Sequence, residues 1–191
     1  MKTSSARGFT MLEVLVAILV LSLGLLGLAG LQTVGLRNNT ASTQRTIATL
    51  LASDIADRMR ANYNSVVSGD YNYANYSVAA GSSVVGKTTY ANGISTTVCT
   101  PGACTSTLIA QQDIYDWNQQ ICAQLPQSTP CTAGNGPWGV VCRDLSPNDG
   151  TPVAPACDNL ATSPYVIKIW WIEDRNNPTL GLKQWVTSLQ P

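Results

Sequence analysis

The residues best able to do chemistry in this chain fall in two groups. One is a single carboxylate, Glu13, in the stretch Arg7-Gly8-Phe9-Thr10-Met11-Leu12-Glu13 that leads into the apolar run Val14 to Leu31. The other is six cysteines, Cys99, Cys104, Cys122, Cys131, Cys142 and Cys157, all in the back half. Histidine is absent, which removes the commonest general base and the commonest metal ligand together. A carboxylate in hydrocarbon costs about 2.5–3.5 kcal/mol on insertion scales, so an acidic residue at the front of such a run is a functional candidate. No CxxC pair or Cys/His set suits zinc, and an even number of cysteines behind a membrane segment points to disulfides formed outside the cytoplasm. Pairing of sequence neighbours (Cys99–Cys104, Cys122–Cys131, Cys142–Cys157) is expected, because each bond closes a short loop rich in Gly, Pro, Ser or Thr.

The elements that must position these residues follow from pattern. No charge occurs between Glu13 and Arg37, and a membrane helix needs about 20 apolar residues. Lys2 and Arg7 precede the run and favour a cytoplasmic N-terminus, with the rest of the chain across the membrane. A secretory signal peptide has a similar charged start, but its apolar stretch is shorter. Beyond Leu31 the helical period continues through Ile47, Leu50, Leu51, Ile55 and Met59, with Ala48, Ala52 and Ala56 beside them. No proline occurs before Pro101, so one helix is expected from about Phe9 to about Asn62, roughly 80 Å long. Gly24, Gly27, Gly30 and Gly35 are open to two readings: close helix–helix approach, or the ordinary glycine content of membrane helices. Asp54/Arg58 and Asp57/Arg60 have helix-surface spacing, which predicts a solvated face with Met59 packed beneath the globular part.

Residues 63–107 are rich in Asn, Ser, Gly, Thr and Tyr, with β-prone pieces at Tyr73–Ala79 and Thr88–Tyr90 and a turn signal at Asn92-Gly93. Leu108, Ile109, Ile114, Trp117, Ile121 and Leu125 predict a second helix ending at Pro126. Residues 126–164 hold most of the prolines and read as a disulfide-stapled insertion around a strand at Trp138–Cys142. Tyr165–Ile172 is the strongest strand, and Leu182–Leu189 is its expected antiparallel neighbour. One of the adjacent Trp170 and Trp171 should face the core, and the other should face outward, covered by loops or contacting a partner. The fold class is therefore α+β: a long N-terminal helix on an antiparallel sheet, elaborated by disulfide loops.

Gly8-Phe9-Thr10-Met11-Leu12-Glu13 with its apolar helix resembles the leader and mature N-terminus of type IV pilins and pseudopilins. The resemblance implies cleavage between Gly8 and Phe9 by a prepilin peptidase and N-methylation of Phe9. Gly8 leaves space at such a scissile bond, and cleavage turns Phe9 into an α-amine that is largely protonated near neutral pH. That amine, from the same or a neighbouring subunit, is a natural partner for Glu13; if it is the neighbour's, the pair sets register in a helical bundle. Leu25 to Gln32, Asp57-Arg58-Met59-Arg60-Ala61-Asn62, Asp116-Trp117 and Leu125-Pro126 narrow the resemblance to the PilV group of minor pilins, the type IV pilus modification proteins. It is densest over residues 7–62. The group implies a pilin-like fold and assembly with other minor pilins and the major pilin in a priming or tip complex. It also implies a role in twitching motility and adhesion, and residence in the inner membrane and then the pilus.

The expected division is a leader at 1–8, a transmembrane half-helix at 9–31, an amphipathic half at 32–62 and a periplasmic or extracellular head at 63–191. A type II secretion minor pseudopilin is the nearest alternative. An extracellular ligand- or DNA-binding tip module is another, with Tyr-rich residues 63–80 able to stack bases. Zero net charge supplies no grip on phosphates, so nucleic acid is not an expected partner. No nucleophile elbow, phosphate loop or metal spacing is present, so neither enzyme activity, nor a cofactor, nor a small-molecule substrate is expected.

Overall fold

The computed structural model describes residues 8–72, 105–127, 138–174, 177 and 181–190. Helix α1 spans Met11–Ala61, within two residues of the expected limits at either end. The chain forms two compact units, residues 1–43 and 44–191, and α1 contributes to both. Among the described residues of the first unit the large apolar side chains are exposed throughout, and none of the most apolar stretch of α1 is buried.

The second unit is α+β and pilin-like. It comprises the rest of α1, the short helix α2 (Tyr63–Ser68), helix α3 (Ser106–Gln124) and strands β1 (Gly139–Arg143), β2 (Tyr165–Ile172) and β3 (Leu182–Leu189). Ala48, Leu51, Ala52, Ile55, Ala56 and Met59 form the buried stripe of α1. Leu50, expected on that stripe, lies off it and is exposed. Helix α2 was not legible in the Asn/Ser-rich composition after Tyr63. It is closed by Gly69 at φ 80°, whose N–H reaches the carbonyls of Ser65 and Val66, a left-handed stop that glycine adopts without steric cost. Thr105 caps α3 by accepting from the Leu108 amide at 3.3 Å, and Leu125 leaves it in an extended conformation, as the residue before Pro126 must.

The sheet is antiparallel in the order β1-β2-β3, with Val140 opposite Lys168, Ile169 opposite Trp185 and Trp171 opposite Lys183. Strand β1 begins and ends one residue later than expected, whereas β2 and β3 lie where the sequence places them. All eight residues of β2 are buried. Tyr165, Ile167, Ile169 and Trp171 share the helix-facing side, where the Tyr165 hydroxyl donates to the Val66 carbonyl at 2.9 Å. Val166, Lys168, Trp170 and Ile172 share the other, where Lys168 is bonded to the loop that follows β1. Trp170 and Trp171 are thus both buried, so neither is an outward partner contact in the second unit. A strand covered on both sides needs an almost unbroken apolar sequence, and YVIKIWWI is one with a single lysine in it.

Cys142 and Cys157 form a disulfide with Cα atoms 6.1 Å apart. Cys122 is also disulfide-bonded. Cys99, Cys104 and Cys131 lie outside the described residues, as do the β-prone pieces and the Asn92-Gly93 turn.

Candidate functional site

The N-terminal segment is built on a helix start. Thr10 is the residue before α1; its carbonyl accepts from the amides of Glu13 at 3.1 Å and Val14 at 3.3 Å. Its Oγ1 also accepts from the Glu13 amide at 3.3 Å. Thr10-Met11-Leu12-Glu13 therefore has the spacing of a capping box, and a hydroxyl at this position satisfies one of the donors that every helix start leaves open. That signature stands in the sequence and adds a second role for Glu13, since a carboxylate in the first turn also opposes the positive end of the helix dipole. Phe9 is 83% exposed and Leu12 73% exposed, and a Cβ on Gly8 would meet nothing. Among the described residues, nothing covers Gly8 or Phe9.

Further along α1, hydroxyl side chains bond back to the helix itself. Ser22 donates to the carbonyls of Ile18 at 2.7 Å and Leu19 at 3.0 Å, and Thr33 to that of Ala29 at 3.0 Å. Thr40 and Thr43 repeat the pattern with Leu36 and Asn39. Hydroxyls that fold back in this way keep their own donors satisfied without a partner outside the helix. Cβ atoms on Gly24, Gly27, Gly30 and Gly35 would also meet nothing, which leaves these surfaces open.

In the second unit, two motifs of the family resemblance come together. Arg58 does not lie on a solvated face. Its Nε binds Asp54 at 3.0 Å, and its guanidinium reaches Asp113 of α3 at 3.3 Å. Burial alone would lower its pKa, but the two carboxylates outweigh that and hold it above the ordinary value. The other oxygen of Asp113 accepts from the Tyr71 hydroxyl at 2.6 Å, and Asn62 donates to the Ser106 carbonyl at 2.8 Å. Asp57 and Arg60 do form the exposed pair expected, and Met59 is fully buried. Trp117 is fully buried too, and its indole N–H donates to the Leu51 carbonyl at 2.8 Å. Arg58 and Asn62 of the first motif and Trp117 of the second thus form a clasp between the end of α1 and α3.

A residue the sequence reading passed over is Lys168. Its ammonium lies 2.6 Å from Asp144 and 2.9 Å from Asp149, with the lysine and Asp144 side chains fully buried. The signal was the lone charge in β2. Cys142, Asp144 and Cys157 bring possible metal-ligating atoms within 4.8 Å of one another. Both sulfurs are in the disulfide and the carboxylate is paired with Lys168, so the set offers no thiolate for a metal.

Residues 3–29 match the prokaryotic N-terminal methylation motif. No curated protein and no solved structure matches the chain. The motif implies processing by a prepilin peptidase and assembly with other pilins in the membrane, and the exposed apolar helix is consistent with an inner-membrane anchor. This class is structural rather than enzymatic. Over residues 3–29 the chain is thus similar to the type IV pilins and pseudopilins, and its second unit has the pilin-like α+β fold expected from that resemblance.

Proposed function

We propose that this chain is a minor type IV pilin of the PilV kind, acting in a priming or tip complex and through it in twitching motility and adhesion. The observation that carries the reading is the methylation motif at the head of a helix whose large apolar side chains are exposed. In this reading residues 1–8 are the leader, 9–31 the membrane half of the helix, 32–62 its amphipathic half and 63–191 the head. The peptidase cuts between Gly8 and Phe9, and Phe9 is methylated. Glu13 then pairs with the Phe9 amine of an adjoining subunit, either the major pilin or another minor pilin. The clasp made by Arg58, Asn62 and Trp117 supports the narrower assignment, because it gives a packing reason for the two motifs that distinguish the group.

Deletion of the gene is the direct test. Loss of surface pili and twitching with normal export of enzymes supports the pilus assignment. Retained pili with failed export would make the chain a type II secretion pseudopilin instead. A mature mass that does not begin at methylated Phe9 would overturn both.

A further inference from the structure

We propose that Lys168 is a positioning residue that selects the Cys142–Cys157 disulfide from the fifteen pairings open to six cysteines. Its ammonium gathers the two stretches of chain that carry these cysteines. Asp144, two residues after Cys142, binds it at 2.6 Å. The carbonyl of Pro155, two residues before Cys157, accepts from it at 2.9 Å. Asp149, between them, contributes Oδ1 at 2.9 Å and its carbonyl at 3.3 Å. The register places Lys168 beside this cysteine, because Val140 opposes Lys168 and Cys142 opposes Val166 on the same face of the sheet.

The loop needs such a grip. Residues 149–155 turn back on themselves through hydrogen bonds between Thr151 and Ala154, at 2.9 and 3.1 Å. A side chain at Gly150, φ 86°, would strike the Pro155 carbonyl, so this turn depends on glycine. Ala156 and Asn159, on either side of Cys157, have φ of 56° and 57°. The left-handed conformation is sterically unfavourable for alanine, so the chain at Cys157 does not take up its course from local preference. Four oxygens around one buried ammonium supply the compensating attraction. They also hold the two thiols near each other before any bond exists, which raises their effective concentration.

The chemistry itself is ordinary exchange. One thiolate attacks an external disulfide to give a mixed disulfide, and the second displaces the external thiol. Two protein thiols lose two protons and two electrons, and the external disulfide gains them as two thiols. Lys168 takes no part in these steps; it decides which thiols meet.

The test uses the full chain in detergent, reduced and then re-oxidised in glutathione buffers of graded potential, with linkages read by peptide mapping. Lys168→Met should raise the potential of the 142–157 pair by about 30 mV for each tenfold loss of effective concentration. It should also yield linkages from Cys142 or Cys157 to the other four cysteines. An unchanged midpoint and unchanged pairing would overturn the proposal. A Cys142→Ser/Cys157→Ser double variant decides the matter even if Lys168→Met does not fold. With the clamp formed first, Lys168 stays protected from an amine-acylating reagent while Lys183, 40% exposed, reacts. Equal reaction of both would mean that the disulfide builds the clamp, contrary to the proposal.

Discussion

The side-chain amide of Asn118 and the backbone of Gly139 bind each other in both directions. Asn118 Oδ1 accepts from the Gly139 amide at 3.0 Å, and Asn118 Nδ2 donates to the Gly139 carbonyl at 3.2 Å. A buried side chain on α3 thereby supplies the start of β1 with the partner that another strand would give. A Cβ at residue 139 would collide with Ile121 and Trp117, so glycine permits this approach. Asn118→Leu leaves a buried donor and acceptor unmet and should cost about 2–6 kcal/mol, at about 1–3 kcal/mol for each group. Gly139→Ala should cost about 1–3 kcal/mol by overpacking. Urea unfolding of the two variants checks both figures.

Arg58 and Arg60 carry the same charge two residues apart, yet they should differ sharply on mutation. Arg60→Ala removes an exposed pair with Asp57 and should change stability by less than about 1 kcal/mol. Among the described residues, Arg58→Ala leaves the largely buried Asp113 with the Tyr71 hydroxyl alone and should cost about 1.5–3 kcal/mol, reduced somewhat by residual solvent. Equal midpoints for the two variants in thermal melts would contradict the clasp.

Stability should fall at both ends of the pH scale. The Lys168 ammonium, by donating to Asp149, holds that carboxyl below its ordinary value of 3.8. The Leu160 amide first, and then Leu145 and Ser163, do the same for Asp158, against a smaller opposing effect of burial. A lowered native pKa means that the unfolded chain takes up protons first, so this stabilisation is present above about pH 4 and is lost progressively below it. Burial, and then the Asp113 bond, push Tyr71 well above its ordinary 10.0. Here the unfolded chain loses its proton first, so the contribution is full below about pH 10 and declines as pH rises past it. Tyr71→Phe should flatten the alkaline limb of a melting-temperature profile and leave the acid limb in place.

Lys168→Met alone strands a fully buried Asp144 and should destabilise the second unit by about 3–5 kcal/mol. Adding Asp144→Leu should recover a substantial part of that loss, since buried ion pairs are often matched by apolar residues of similar volume. Chemical denaturation of the single and double variants measures the difference.

Glu13→Ala should insert in the membrane and be cleaved as the native chain is, yet fail to enter the assembly. Glu13→Gln keeps the shape and removes the charge, so it should fail as well if pairing with an amine is the requirement. Normal incorporation of the Gln variant, measured by immunoblotting of sheared fibres, would sink that role.

Much of this architecture was legible because a few strong patterns dominate. The apolar run, the Ala/Leu stripe of α1, the Pro126 stop and the YVIKIWWI strand each specify one element with little competition. What was not legible depends on contacts distant in sequence. Arg58 looks like a surface residue by its spacing from Asp54; only the arrival of Asp113 from α3 makes it part of a clasp. Lys168 looks out of place until the loop at 144–155 supplies its oxygens. Helix α2 was hidden because Asn and Ser carry weak and ambiguous preferences, and its stop depends on one glycine. Thr10 was readable in principle, as a Thr-x-x-Glu spacing, but the methylation motif occupies the same letters.

The self-bonded hydroxyl of Ser22 has a consequence for mechanics. Between Glu13 and Gln32 it is the one hydroxyl, and its proton is already committed within its own helix. That length of α1 can rotate about its axis or slip past a like neighbour without breaking a directional bond. Contact along it with a like neighbour is then set by side-chain shape alone. In the pilin reading proposed above, a subunit built on such a rod would meet a low and even barrier as it enters or leaves a fibre.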